Sequence, residues 1–270
     1  MYRETIDSLH AKTALKLLLL QRSPGAFFVS AMLAGAYVGV GILLIFILGE
    51  DVPGAWRKLV MGASFGIALT LVVIAGAELF TGYPMYLALA AADRRVRLAP
   101  SLASLGLSWS GNLLGATALV GLFALGGGAD LLGRPDTLLQ KVAAYKMNSP
   151  ALALLARAAL CNWLVCLALW MAVRVRDDAA KCIVIFWCLF AFIACGFEHS
   201  VANMTLLGAA LAGNHPEAVT WGGYAHNLFW VTLGNLVGGG VFVGFAYGVI
   251  ARGAERLEVA PVERGAAQQP

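Results

Sequence analysis

The chain has 270 residues, 60% of them hydrophobic and only 13% charged, with a formal net charge of +4 and a mean hydropathy of +0.78. A soluble domain is close to half apolar and about a quarter charged, so this composition excludes one. The small, unevenly spread positive charge reads as membrane topology and not as a nucleic-acid surface.

In chain order, residues 1–25 carry Arg3, Lys12, Lys16 and Arg22 around Leu17 to Leu20, with no small-residue cleavage site after them. Thr5 to Leu20 fits an amphipathic helix at the membrane surface and an ordinary solvated helix equally well. Six spans are predicted within a single domain, 26–251. The first, Ala26 to Leu48, carries Gly35-x-x-x-Gly39, which suits close helix contact. The second block, Leu59 to Ala92, holds thirty-four residues with Glu78 as its only charge. As one helix it would measure roughly 51 Å against about 30 Å of hydrocarbon. Pro84 disfavours a helical residue before it. The second span is therefore predicted to be two half-helices with an irregular turn at Leu79 to Pro84, lining a cavity or packed in protein. The third span is Pro100 to Gly126, and a longer connection follows to Pro150. The fourth, Ala151 to Val173, contains Arg157. The fifth block, Cys182 to Ala212, is again over-long at thirty-one residues, with Glu198 and His199 side by side near its middle. It too is predicted to be broken. The sixth span is Gly222 to Ile250, and 252–270 reads as a disordered tail. The loops on the side of both termini hold thirteen Lys/Arg and the opposite loops five, which predicts cytoplasmic termini.

The two halves, about 26–128 and 150–251, echo each other. Each has a central acid (Glu78, Glu198), followed by Gly111-Asn112-Leu113-Leu114-Gly115 or Gly234-Asn235-Leu236-Val237-Gly238. Three-span repeats enter the membrane from opposite sides, so the fold is an inverted repeat of three plus three, an all-α architecture typical of transporters and channels. The breaks then aim partially positive helix ends at one pathway near the midplane.

A Glu–His pair in lipid is costly and points to function. His199 is the candidate donor, against the alternative of a packing histidine. Glu78 and Glu198 are expected to accept hydrogen bonds from backbone N–H groups freed at the breaks, or to be protonated. Asn112 and Asn235 read as interhelical glue. Asn203, four residues after His199, is grouped with these structural polar residues, and Asn162 is open between the two roles. Lys146 is either a snorkelling interfacial lysine or one that concentrates anions in a vestibule. The five cysteines read as small hydrophobes, not a metal site. An enzyme is not expected, because Glu198-His199-Ser200 is contiguous and its members face different ways on a helix. A membrane haem protein using His199 and His226 stays as an alternative of another class, and no cofactor or metal is expected otherwise.

Three stretches resemble the signature motifs of the formate/nitrite transporter family: Val73-Ile74-Ala75-Gly76-Ala77-Glu78-Leu79-Phe80-Thr81-Gly82, Ala158 to Ala168 around Asn162, and Gly196-Phe197-Glu198-His199-Ser200-Val201-Ala202-Asn203-Met204. The resemblance covers about residues 5 to 250 and is nearest to the nitrite-channel branch. It implies an aquaporin-like homopentamer in a bacterial inner membrane, with one pore per protomer. Nitrite is the expected solute, carried passively or with a proton; formate and hydrosulfide are alternatives. It further implies a central His199 opposite Thr81, with Lys146, Asn162 and Glu198 near the solute path. Phe65, Leu69 and Phe192 are implied as an outer constriction, and Leu79, Phe80 and Val165 as an inner one.

Overall fold

The computed structural model describes residues 2–259, and every regular element among them is helical. Helix α1 (Arg3–Arg22) is followed by α2 (Pro24–Gly49) and α3 (Gly54–Ser64). A short α4 (Ile67–Thr70) runs into a π-helical turn, Leu71–Gly76. After a 3-10 turn, Phe80–Gly82, come α5 (Tyr83–Ala92), α6 (Leu98–Leu125), α7 (Ala129–Gly133) and α8 (Leu138–Met147). Then α9 (Ala151–Arg174), α10 (Asp178–Ala194), α11 (Ser200–Ala212) and α12 (Trp221–Gly239) lead through a π turn, Gly240–Phe245, into α13 (Ala246–Val259).

Five helical stretches are long and apolar enough to cross a membrane: Pro24–Gly49, Gly54–Gly76, Ala99–Leu125, Ala151–Arg174 and Trp221–Ala254. The chain is a membrane protein. Two helix pairs form its frame, α2 with α6 and α9 with α12. Their closeness comes from glycine. A Cβ at Gly115 would lie 1.8 Å from the Met32 carbonyl oxygen, and one at Gly238 would lie 2.1 Å from that of Ala159. These glycines end the two Gly-Asn-Leu tags, so the repeated sequence marks where backbone meets backbone.

The structure differs from the sequence reading in four places. In the second block the non-helical backbone is Ala77–Leu79, earlier than the expected turn at Leu79 to Pro84. Gly76 (φ +81°) ends the preceding helix. Pro84 instead sits in the first turn of α5, where its missing N–H costs nothing. The fifth block, which the sequence reading expects to be broken, is divided into α10 and α11 around Cys195–His199, and neither piece alone reaches spanning length. The connection 126–150 contains α7 and α8. Helix α13 continues past Arg252 to Val259, and the remainder of the expected tail, 260–270, lies outside the described residues. Finally, α1 is neither free in solvent nor resting only on lipid. Its face of Ile6, Leu9, His10, Thr13 and Leu20 is buried against the bundle.

Candidate functional site

The site is built where the two helix interruptions meet, and each interruption is held by an asparagine. Asn112 on α6 donates through Nδ2 to the carbonyls of Ala31 (2.7 Å) and Glu78 (3.0 Å), while its Oδ1 accepts the Phe80 N–H at 2.9 Å. Asn235 on α12 does the same at the other interruption. Its Nδ2 donates to Ala158 O (2.9 Å) and Glu198 O (3.0 Å), and its Oδ1 accepts the Ser200 N–H at 2.8 Å. The Glu78 N–H donates to Ser30 O and the Glu198 N–H to Arg157 O. Non-helical backbone at this depth must find partners inside the protein. Here the amides supply them, not the carboxylates as the sequence suggested.

The carboxylates are occupied with cations. Glu198, fully buried, accepts from Lys146 Nζ and Asn203 Nδ2, both at 2.7 Å, and Arg157 Nη1 lies 3.9 Å from its other oxygen. Asn203 also donates to Asn227, whose Nδ2 donates to the Lys146 carbonyl. Glu78 is bonded by Lys16 of α1 and by the Tyr83 hydroxyl. Each interruption therefore carries a buried acid with a lysine partner, and such a pair holds only when it is also hydrogen-bonded.

His199 sits at the N-cap of α11, where its Nδ1 accepts the Ala202 N–H at 3.1 Å. That bond needs a lone pair on Nδ1, so a neutral ring carries its proton on Nε2. Nε2 lies 3.1 Å from Thr81 Oγ1 and donates to it. The imidazole also stacks on Phe192, at 5.9 Å between centroids and 11° between planes, and Phe65 meets Phe192 edge-on. Asn162 donates to the carbonyls of Thr81 (2.9 Å) and Asn235 (2.6 Å), tying the two interruptions together.

His199 faces a void of about 10 Å³, room for about one water, lined otherwise by Val38, Phe65, Ala68, Leu69, Leu79, Val165, Leu189 and Phe192. On the far side of Leu79 opens a larger cavity of about 460 Å³ whose wall includes Lys12, Lys16 and Lys181 together with the carboxylates Glu78 and Asp178. Burial and the neighbouring Lys16 and Lys181 hold the Lys12 ammonium below its ordinary pKa.

Five of the six candidate constriction residues thus line the histidine void: Phe65, Leu69, Leu79, Val165 and Phe192. Phe80 does not. It is buried elsewhere in the core, and its backbone N–H is held by Asn112. Thr81 reaches His199 directly. Lys146, Asn162 and Glu198 are not in the wall and stand behind it. Of the cysteines, Cys161, Cys166 and Cys188 are buried, Cys182 is intermediate, and Cys195 is exposed at the second interruption. Sequence reasoning missed Lys16, Tyr83, Asn227 and Val38. Lys16 was legible only as a surface charge, because its partner lies sixty-two residues away.

The sequence profile of the formate/nitrite transporter family matches residues 3–249. The nitrite transporter NirC of Escherichia coli is 49% identical over 247 residues, covering 92% of this chain and 91% of the relative. The formate channel BtFdhC of Bacillus thuringiensis is 38% identical, over 82% and 85%. A solved structure described as an FNT family ion channel superposes with a TM-score of 0.90 at 48% identity, covering 92% of this chain and 99% of that one. A pentameric formate channel with formate bound superposes at 0.70 and 29% identity, over 84% and 97%.

Proposed function

Because the chain belongs to the formate/nitrite transporter family, we propose that it is a channel for small monovalent anions whose main solute is nitrite. The NirC relatives of about 49% and 47% identity support nitrite. The formate channel relative makes formate the second reading. The proposed assembly is a homopentamer with one pore per protomer, after the pentameric neighbour. In this reading each protomer has six spans in an inverted repeat. The second is broken at Ala77–Leu79 and the fifth at Cys195–His199. The protomer lies in the inner membrane of a bacterium with both termini cytoplasmic, delivering nitrite to a cytoplasmic reductase.

The observation that carries the reading is the pairing of one polar edge with an apolar ring. An anion entering the void meets only side chains that resist ions, except at His199 and the Thr81 hydroxyl beside it. Lys146 and Arg157, two cations against one Glu198 carboxylate, leave a net positive charge behind the histidine. At the other end the large cavity sets Lys12, Lys16 and Lys181 against Glu78 and Asp178, which leaves one lysine charge in excess to draw anions in.

The capping bond bears on mechanism. With Nδ1 committed to Ala202, the neutral ring offers its Nε2 proton as a hydrogen bond. Giving that proton away would leave an imidazolate. To protonate the solute, the ring must first be doubly protonated, which costs the bond that starts α11. The geometry therefore favours passage of the anion past a neutral donor in this conformation.

The test is flux through purified protein in proteoliposomes and planar bilayers, with nitrite, formate or hydrosulfide as the sole permeant anion. Anion-selective current with nitrite favoured is the expected result. Unchanged, pH-independent nitrite flux in His199→Ala or His199→Phe would sink the histidine-centred mechanism.

A further inference from the structure

The anion pathway leaves one buried histidine unused. His10 on α1 is 5% exposed, and neither ring nitrogen has a hydrogen-bond partner among the described residues. Its Nε2 comes within 3.3 Å of Asp93 Oδ2 without aligning for a bond. An unsatisfied polar group at this depth is unfavourable unless something else meets it. Two cavities flank the ring. One, about 260 Å³, is lined by Arg3, Asp7, Asp93, Arg95 and Arg252 besides His10, with Ile6, Gly248 and Ala251 as its apolar wall. The other, about 270 Å³, shares Asp7, His10 and Arg95. The charged groups come from three separate elements: α1, the loop after α5, and α13.

The charges are not balanced. Asp93 is engaged by Arg252 at 3.5 Å and approached by His10. The side chains of Arg3 and Arg95 make no ion pair or hydrogen bond among the described residues. Three guanidiniums and a histidine thus face two carboxylates, and two of the guanidiniums have no partner among the described residues. The flat fork of arginine suits phosphate oxygens, two donors to two acceptors. The pocket opens where both terminal helices meet the bundle, beside a loop carrying Arg94, Arg95 and Arg97. Basic pockets in such places take anionic headgroups.

We propose that this pocket binds a phosphate ester, with Arg3 and Arg95 as its main ligands and His10 as the buried hydrogen-bonding group, and that the bound phosphate ties α1 to α13. The chemistry is shared by an anionic phospholipid headgroup and a soluble phosphate, and the experiment separates them. The full chain in mild detergent is titrated with phosphatidylglycerol, phosphatidylcholine or inorganic phosphate, and adducts are counted by native mass spectrometry. Phosphatidylglycerol or phosphate is expected to bind at least about tenfold more tightly than phosphatidylcholine. Losing a charge-assisted hydrogen bond should weaken binding by about tenfold or more in Arg95→Gln, and again when Arg3→Gln is added. Both arginines are exposed enough for the variants to fold, and Arg22→Gln, on α1 but outside the pocket, should bind as the wild type does. Displacement of the lipid by excess phosphate identifies a soluble ligand; resistance to displacement identifies the headgroup. Equal binding by wild type and both pocket variants, equal loss in Arg22→Gln, or no preference over phosphatidylcholine overturns the proposal.

Discussion

Asn112 and Asn235 make the same three hydrogen bonds at two different interruptions of the helical backbone, although they lie 123 residues apart. Each holds the carbonyl of a buried glutamate, the N–H two residues beyond it, and a carbonyl of the neighbouring long helix. The equivalence gives a direct prediction. Asn112→Ala or Asn235→Ala strands one buried N–H and the glutamate carbonyl, each costing about 1–3 kcal/mol when left unpaired, while the Ala31 or Ala158 carbonyl keeps the bond of its own helix. Both variants should lower the unfolding midpoint in detergent by similar amounts, with a loss of about 2 kcal/mol or more. A silent variant at either position contradicts the shared role.

The same residues show how much was legible. Asn112 and Asn235 stood out as a repeated Gly-Asn-Leu tag, and Gly35-x-x-x-Gly39 on the first span predicted close helix contact. Long apolar blocks placed Pro24–Gly49 and Ala151–Arg174 to within two residues. What composition could not supply was the side on which each polar group falls. Whether Glu78 accepts from backbone or from Lys16 depends on a contact between α1 and the second block, and no local pattern encodes it. The turn at Ala77–Leu79 was misplaced for a similar reason. Proline was read as the breaker, while the positive φ at Gly76 was invisible in sequence.

Glu198 serves two cations, so the order of losses around it can be predicted. Glu198→Gln leaves Lys146 and Arg157 without their carboxylate. Breaking a buried pair from one side costs about 3–5 kcal/mol. Lys146→Met leaves Glu198 with Asn203 and with Arg157 at 3.9 Å, and its loss should be smaller. Equilibrium unfolding of the two single variants checks the order, and a larger loss in Lys146→Met would contradict it.

Thr81 should matter to flux through its hydroxyl and not its size. Thr81→Ser keeps the bond to His199 Nε2 and should conduct nitrite near the wild-type rate. Thr81→Val keeps the volume and removes the bond, leaving the ring proton without its resting partner. A hydrogen bond worth about 1 kcal/mol corresponds to roughly a fivefold change, and stopped-flow nitrite uptake into proteoliposomes resolves that. Equal rates for serine and valine would remove Thr81 from the pathway.

Lys12 gives a pH-dependent prediction. Its ammonium is held below the ordinary lysine value by burial, then by Lys16, then by Lys181. A lysine with a depressed folded-state pKa binds its proton more weakly folded than unfolded. Its charge therefore opposes folding at neutral pH, and stability rises as pH climbs from the depressed value toward the unfolded one near 10.5. Lys12→Met should remove that rise and raise the midpoint at pH 7. It should also slow anion entry from the large cavity, because Lys12 is the lysine of that wall not paired with Glu78 or Asp178. A stability gain with unchanged flux would separate the two roles and confine Lys12 to a structural penalty.

Glycine at the helix crossings offers the sharpest contrast. A methyl at Gly115 would stand 1.8 Å from Met32 O and 2.6 Å from its carbonyl carbon, backbone atoms that cannot rotate away. Gly115→Ala must push α2 and α6 apart, and overpacking of this kind typically costs about 1–3 kcal/mol, occasionally more. The displacement would also move Asn112, three residues earlier on α6, out of reach of the Phe80 N–H and so loosen the first interruption. Gly106 lies on the same helix with nothing within 4 Å of an added Cβ. There Gly106→Ala should be neutral or stabilise by about 0.5–1 kcal/mol through helix propensity alone. Both variants change the intrinsic preference of α6 in the same direction, so the difference between their unfolding midpoints isolates the crossing. Gly115→Ala should fall well below the wild type and lose nitrite flux with it, while Gly106→Ala keeps both. If the two behave alike, the close approach of α2 to α6 is not what fixes Asn112, and the clamp must draw its position from the carbonyls it holds.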